Sequence, residues 1–264
     1  MKNRERRIKK DSMKKGIYIL PNLFTTASLF CGFYSVINSM KGEFSLAATA
    51  IIFAIVLDSL DGRIARMTGT TSKFGAEYDS LADLVAFGVA PAILSYTWAL
   101  STFGRWGWLA SFLFVVCGAL RLARFNIQIG IIESRMFNGL PIPAAASVVA
   151  TGVLLFYYLG GVGQLNHPAI LIGTIALSLL MVSSIKYYSF KDLNLFSRKP
   201  FMSFVLIVVI LIIVIAEPQI MLFTLAFGYS ISGPAWTLTK IARKKSVKRS
   251  EEQSQETRSK GWFV

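Results

Sequence analysis

Four aspartates crowd one short, otherwise apolar stretch of the chain, LDSLDGRIARMTGTTSKFGAEYDSLADLVAFGVAPA from Leu57 to Ala92. Asp58 and Asp61 stand three residues apart, and Asp79 and Asp83 stand four apart. On a helix, residues at those spacings share a face, so each pair offers two carboxylates in one direction. The short connection from Met67 to Phe74 predicts antiparallel neighbouring helices whose carboxylate pairs converge. Four converging carboxylates cannot all stay ionised without cations. Hard divalent ions such as Mg²⁺ or Mn²⁺ suit all-oxygen ligation, and a two-metal arrangement can bind a diphosphate while activating a nucleophile.

The residues between the pairs suit a phosphate ligand. Gly62 removes a side chain directly after Asp61, and Gly75 does the same at the end of the connection, where a diphosphate could approach the backbone. Arg63 and Arg66 supply cations close by, and Ala65 keeps the surface between them low. Two other readings compete. A salt-bridge cluster of the aspartates with Arg63, Arg66 and Lys73 would serve stability alone, but buried ion pairs are weak stabilisers. An ion or proton pathway would place its acidic groups near mid-bilayer on broken helices in paired halves, and the sequence has no internal repeat.

What must hold these aspartates is a set of membrane helices. Hydrophobic residues make up 54% of the 264 and mean hydropathy is +0.55, too apolar for an ordinary soluble protein. Windows of about 20 apolar residues predict an all-α polytopic bundle of about eight spans, near 17–38, 44–66, 79–101, 105–127, 141–160, 168–187, 201–216 and 218–239. In such a setting a carboxylate costs several kcal/mol unless it is paired, metal-bound or in water.

The net charge of +14 raises the question of nucleic acid, and the positions of the 28 Lys and Arg residues answer it. Eight precede the first span, eight follow the last, and ten fall between spans two and three, four and five, or six and seven. Only Lys41 and Arg105 remain for the opposite side. This segregation follows the positive-inside rule with both termini and the aspartates on the cytoplasmic side. No interleaved aromatic or folded module supports RNA binding. The chain divides into a basic cytoplasmic segment at 1–16, expected to be retained and to lie on an anionic membrane surface, a transmembrane domain at 17–239, and a basic, polar tail at 240–264. Within that tail, 246–260 is expected to be disordered. Cys31 and Cys117 lack partners at ligand spacing and are expected to pack in spans, and His167 to sit solvated in an outside loop.

The aspartate stretch resembles the CDP-alcohol phosphatidyltransferase signature D-x-x-D-G-x-x-A-R-x8-G-x-x-x-D-x-x-x-D at every fixed position, here Asp58, Asp61, Gly62, Ala65, Arg66, Gly75, Asp79 and Asp83. The resemblance implies a six-helix catalytic core over roughly residues 17–187, with the last two spans as an extension. It also implies roles. Asp58, Asp61 and Asp79 would ligate metal, two ions per site, while Asp83 would contact metal and take the proton from the attacking hydroxyl. Gly62, Ala65, Arg66, Ser72 and Gly75 would surround the CDP-diacylglycerol headgroup, with Pro21-Asn22 at the entry to span one beside it.

Three further stretches, FGAEYDSLADLVAFGVAPA at 74–92, RLARFN at 121–126 and FNGLPIPAAA at 137–146, resemble the phosphatidylserine synthase branch of that family. The implied reaction moves a phosphatidyl group from CDP-diacylglycerol to L-serine, with inositol phosphate or glycerol phosphate as alternative acceptors. Serine brings a carboxylate and an ammonium. Arg121 and Arg124 could meet the carboxylate, with Asn126 or Glu77 for the amine. The alternative is that both arginines anchor the helix end at lipid phosphates, and Lys186, Lys191 and Arg198 could bind headgroup phosphate or nothing specific. Family resemblance further implies a homodimer, and the reading as a whole places it in the plasma membrane.

Overall fold

A computed structural model describes residues 2–68, 72–128, 136–188 and 216–260. Helix α1 spans Lys2–Lys41 and α2 spans Phe44–Thr68. Gly42, at φ 81°, makes the turn between them. A third, continuous helical stretch, α3, covers Lys73–Phe103, and α4 follows at Arg105–Gln128. Beyond the short strand β1 (Met136–Asn138) come α5 (Ile142–Tyr158), α6 (Pro168–Val182), strand β2 (Lys186–Tyr188) and α7 (Pro218–Lys260).

Among the described residues four segments are long and apolar enough to cross a membrane: Asn22–Lys41, Phe44–Ile64, Lys73–Phe103 and Arg105–Ile127. Two shorter apolar helices, α5 and α6, accompany them. The protein is a membrane-integral helical bundle. Phe30, Phe33, Phe53, Trp106 and Phe112 are exposed on its outside, where lipid is the solvent. Inside, the contacts are made by small residues that let backbones approach. A methyl group added at Gly32 would lie 2.6 Å from the Ala86 Cα, and one at Gly118 would lie 2.7 Å from Ile142 Cδ1. Helix α3 packs on α1, α4 and α5.

Within α3 the helix widens to π geometry over Leu84–Val89, directly after Asp83, where the Ala90 N–H reaches Val85 O. Pro91 follows and has no N–H to offer Phe87, so the regular ladder cannot continue through this turn.

Several expectations change. The third span starts at Lys73 rather than 79, because the Ser72 hydroxyl caps the helix by accepting from Gly75 N at 2.9 Å. The all-α expectation misses a two-stranded antiparallel ribbon, in which Met136 pairs with Tyr188, Phe137 with Tyr187 and Asn138 with Lys186. For that pairing α6 stops at Val182, short of 187. The ribbon turns into α5 through Gly139, at φ 82°, where a Cβ would meet Met181 O at 2.3 Å, so FNGLP needs its glycine. His167 is exposed but caps α6, its Nδ1 accepting from Ala169 N at 3.2 Å. The segment 246–260, expected to be disordered, continues α7 as helix to Lys260. Its Glu, Gln, Lys and Arg are good helix formers, and an existing helix carries no new nucleation cost. The expected span at 201–216, like Lys191 and Arg198, lies outside the described residues, save for Ala216. Both cysteines are free thiols, Cys117 buried and Cys31 partly so.

Candidate active site

Asp58 and Asp61 stand on α2, and Asp79 and Asp83 on the first turns of α3. One carboxylate oxygen each from Asp58, Asp61 and Asp79 lies within 4.8 Å of the others. Asp83 joins them through hydrogen-bond contact with Asp58. The two pairs therefore converge as their helical spacing requires. Helix α1 packs on both α2 and α3 and contributes a residue the spacing argument does not reach. Thr25 Oγ1 donates to Asp61 Oδ2 at 2.9 Å, and both residues are buried.

This donor set fits a hard divalent cation. Three carboxylate oxygens share one small volume, and Asp79 Oδ1 is buried with no hydrogen-bond partner among the described residues. A buried acceptor left in that state costs free energy that a bound cation would remove.

Next to the cluster, α1 and α3 form a second constellation. A Cβ built on Gly75 would lie 3.1 Å from Ser72 Oγ and 3.4 Å from Asn22 Oδ1, so the glycine leaves a notch between two polar side chains. Thr26 Oγ1 donates to Asn22 O at 2.7 Å and shares a 2.9 Å hydrogen bond with the Tyr78 hydroxyl. With its own hydrogen already committed, the threonine is the acceptor and Tyr78 the donor. This clasp fixes the end of α1 carrying Asn22 against the turn of α3 before Asp79. Asn22 and Thr25 are three apart on α1, and that polar i, i+3 pair opening an apolar span is the signal that could have identified Thr25. Gly62 follows Asp61 on α2, whereas the side chains of Ala65 and Arg66 lie outside the described residues. Arg63, Lys73 and Glu77 are exposed.

The residues considered for an acceptor separate by partner. Arg124 Nη1 donates to Val182 O at 3.2 Å, satisfying a carbonyl at the C-terminus of α6. Asn126 Nδ2 donates to Ser80 Oγ at 3.0 Å, and Ser80 Oγ in turn donates to Ala76 O at 3.0 Å. Asn126 thus ties α4 to the turn of α3 between Asp79 and Asp83. Arg121 differs from both. Its Nε is buried without a hydrogen-bond partner among the described residues, and its guanidinium lies within electrostatic range of Asp83.

A sequence model of CDP-alcohol phosphatidyltransferases matches residues 18–180. The chain belongs to the CDP-alcohol phosphatidyltransferase family. It is 43% identical over 206 residues to the CDP-diacylglycerol–serine O-phosphatidyltransferase of Helicobacter pylori, covering 76% of this chain and 84% of that protein. To the Bacillus subtilis enzyme of the same name it is 37% identical over 174 residues, covering 65% of this chain and 91% of that one. The archaetidylserine synthase of Methanothermobacter thermautotrophicus is 41% identical over 170 residues, covering 64% and 69% of the two chains. The part matched by this phosphatidyltransferase model holds the four aspartates, Asn22, Thr25 and Arg121, and it ends within α6. Helix α7 lies beyond it.

Proposed function

We propose that the chain transfers the phosphatidyl group of CDP-diacylglycerol to L-serine, giving phosphatidylserine and CMP. The observation that carries this reading is the convergence of Asp58, Asp61 and Asp79, with Asp83 alongside, in a chain similar over most of its length to enzymes named for that transfer. Asp58, Asp61 and Asp79, with Asp83 at their side, would hold Mg²⁺ or Mn²⁺, two ions per site, whose chemistry is to neutralise the diphosphate and stabilise the departing CMP.

The protein's own residues do the rest. Asp83 takes the proton from the serine hydroxyl, the serine oxygen forms a bond to the β-phosphorus of CDP-diacylglycerol, and the bond from that phosphorus to the CMP oxygen breaks in line. Thr25 orients Asp61. Asn22, Gly62, Ala65, Arg66, Ser72 and Gly75 surround the cytidine diphosphate, with the notch at Gly75 admitting it between Asn22 and Ser72. Arg121, whose buried Nε has no hydrogen-bond partner among the described residues and which lies within electrostatic range of the base, receives the serine carboxylate. Arg124 and Asn126 line the same side while bracing α6 and α3.

The segregation of Lys and Arg supports an even number of spans, eight in this reading, with both termini and the site facing the cytoplasm, and residence in the plasma membrane is proposed with it. It equally supports the basic segment at 1–16, the transmembrane domain at 17–239 and the tail at 240–264. A homodimer is proposed on family resemblance. The test of function is CMP release by purified enzyme given Mn²⁺ or Mg²⁺, CDP-diacylglycerol and, separately, serine, inositol phosphate or glycerol phosphate. Serine should be preferred. Asp83→Asn should abolish turnover while CDP still binds, and retained serine-dependent CMP release by that variant would remove Asp83 as the base.

A further inference from the structure

Two adjacent threonines fasten one turn of α1 to two different helices. Thr25 Oγ1 donates to Asp61 Oδ2 on α2 at 2.9 Å, whereas Thr26 Oγ1 accepts from the Tyr78 hydroxyl on α3 at 2.9 Å. The hydrogen of Thr26 goes to Asn22 O at 2.7 Å, so a chain of two hydrogen bonds runs from Tyr78 to the backbone of Asn22. This turn needs such a tie. Pro21 stands inside α1 directly before Asn22 and has no N–H for Ile17 O, so the helix backbone loses a bond just where Asn22 must be held. On α3, Tyr78 is steadied by Phe74 one turn earlier, the two rings stacked with centroids 6.1 Å apart and planes at 9°. Gly75 belongs to that same turn, and a Cβ built on it would lie 3.4 Å from Asn22 Oδ1. The tyrosine that holds Asn22 and the notch that Asn22 faces are thus carried by one turn of one helix.

We infer that Tyr78 is a positioning residue for the lipid donor: through Thr26 it holds Asn22 at the notch beside Gly75, so that the cytidine diphosphate meets Asn22 already in place. The inference rests on the proposed role of Asn22. A turn that must be ordered as a ligand binds gives up affinity, and a turn fixed beforehand does not. Tyr78 acts at one remove, because its hydroxyl is spent on Thr26 rather than on the nucleotide.

The test uses the full-length enzyme in detergent with Mn²⁺, following CMP release from CDP-diacylglycerol and serine and, separately, the binding of CDP by calorimetry. Tyr78→Phe keeps the ring stacked on Phe74 and removes the hydroxyl alone. It should raise the Kd for CDP and the KM for CDP-diacylglycerol together by about three- to tenfold, the scale of one neutral hydrogen bond, and leave the serine KM and kcat unchanged. Thr26→Val should weaken CDP binding at least as much, Thr26→Ser should retain it, and Tyr78→Phe added to Thr26→Val should cost nothing more, since Tyr78 acts through Thr26. A Phe variant with wild-type CDP affinity, one raising both KM values together, or full additivity with Thr26→Val overturns the inference. Asn22→Ala separates it from the reading beneath. If that variant binds CDP as wild type does, the role of Asn22 falls and the inference with it; if it binds CDP weakly while Tyr78→Phe does not, the positioning role alone falls. Should wild type bind CDP yet release CMP with none of the alcohols, the transfer reading falls, and the CDP affinities still decide the role of Tyr78.

Discussion

Replacing Thr25 by Val removes a hydrogen-bond donor from the aspartate cluster. The two side chains have nearly the same shape, so the substitution deletes the donor and leaves the packing of α1 on α2. Thr25 Oγ1 stands 2.9 Å from Asp61 Oδ2, with Thr25 only 4% and Asp61 5% exposed, so water cannot replace the lost hydrogen bond. A hydrogen bond to a charged group contributes about 1.5–3 kcal/mol. Removing a group that orients a metal ligand typically weakens metal affinity about 10- to 100-fold, which is the same range of free energy. The Mn²⁺ concentration giving half-maximal CMP release should therefore rise by about 10- to 100-fold. At saturating Mn²⁺ the rate should return to within about threefold of wild type, because Asp83 is untouched. Thr25→Ser restores a hydroxyl and should restore most of the Mn²⁺ affinity. A Val variant with the wild-type Mn²⁺ requirement, or a Ser variant as impaired as Val, would refute the assignment of Thr25 as the residue that orients Asp61.

Two further predictions concern the scaffold. Gly32→Ala drives a methyl to 2.6 Å from the Ala86 Cα and should lower stability by about 1–3 kcal/mol, read as a lower melting temperature with reduced turnover, since α1 carries Asn22 and Thr25 against α3. The Tyr187 hydroxyl joins β2 to α7 by donating at 2.9 Å to the carbonyl of buried Ser230, to which Pro234 cannot donate. Tyr187→Phe should cost about 1–3 kcal/mol by leaving that carbonyl unsatisfied. Adding Pro234→Ala returns a backbone N–H to that carbonyl, so the double variant should be more stable than Tyr187→Phe alone; simple additivity of the two changes would argue against the joint.

Helical periodicity made the aspartate pairs legible, because carboxylates three and four apart have few other ways to meet in an apolar stretch. Thr25 was not legible in the same way. A threonine in a span most often bonds its own backbone, as Thr26, Thr49 and Thr97 do here, and only the packing of α1 on α2 brings Thr25 Oγ1 to Asp61. Hydropathy placed the start of α3 late because Lys73, Glu77 and Asp79 depress the window, while the cap at Ser72 and Gly75 is a local hydrogen bond that averaging cannot detect. The β1–β2 ribbon joins residues some fifty apart, a pairing that no local pattern encodes. Likewise the arginines at 121 and 124 look alike in RLARFN, and they separate only once α6 ends beneath Arg124 and leaves Arg121 facing Asp83.

That separation suggests how the site divides its work. In the proposed reaction, the donor side is built from α1 and α2, where Asn22 meets the notch at Gly75 and Thr25 holds Asp61. The acceptor side is built on α4, where Arg121 lies within electrostatic range of Asp83. Helix α3 is the shared wall, carrying Asp79 and Asp83 on one face, with Ser80 beside Asp79 held by Asn126. Substrates held by different helices around one shared wall should be recognised independently. Changes at Thr25 and at Arg121 act on different helices and different aspartates, so their effects on kcat/KM should add as free energies to within about 0.5 kcal/mol. Strong coupling between them would mean that α3 moves as the two substrates bind, and that the wall is itself part of the mechanism.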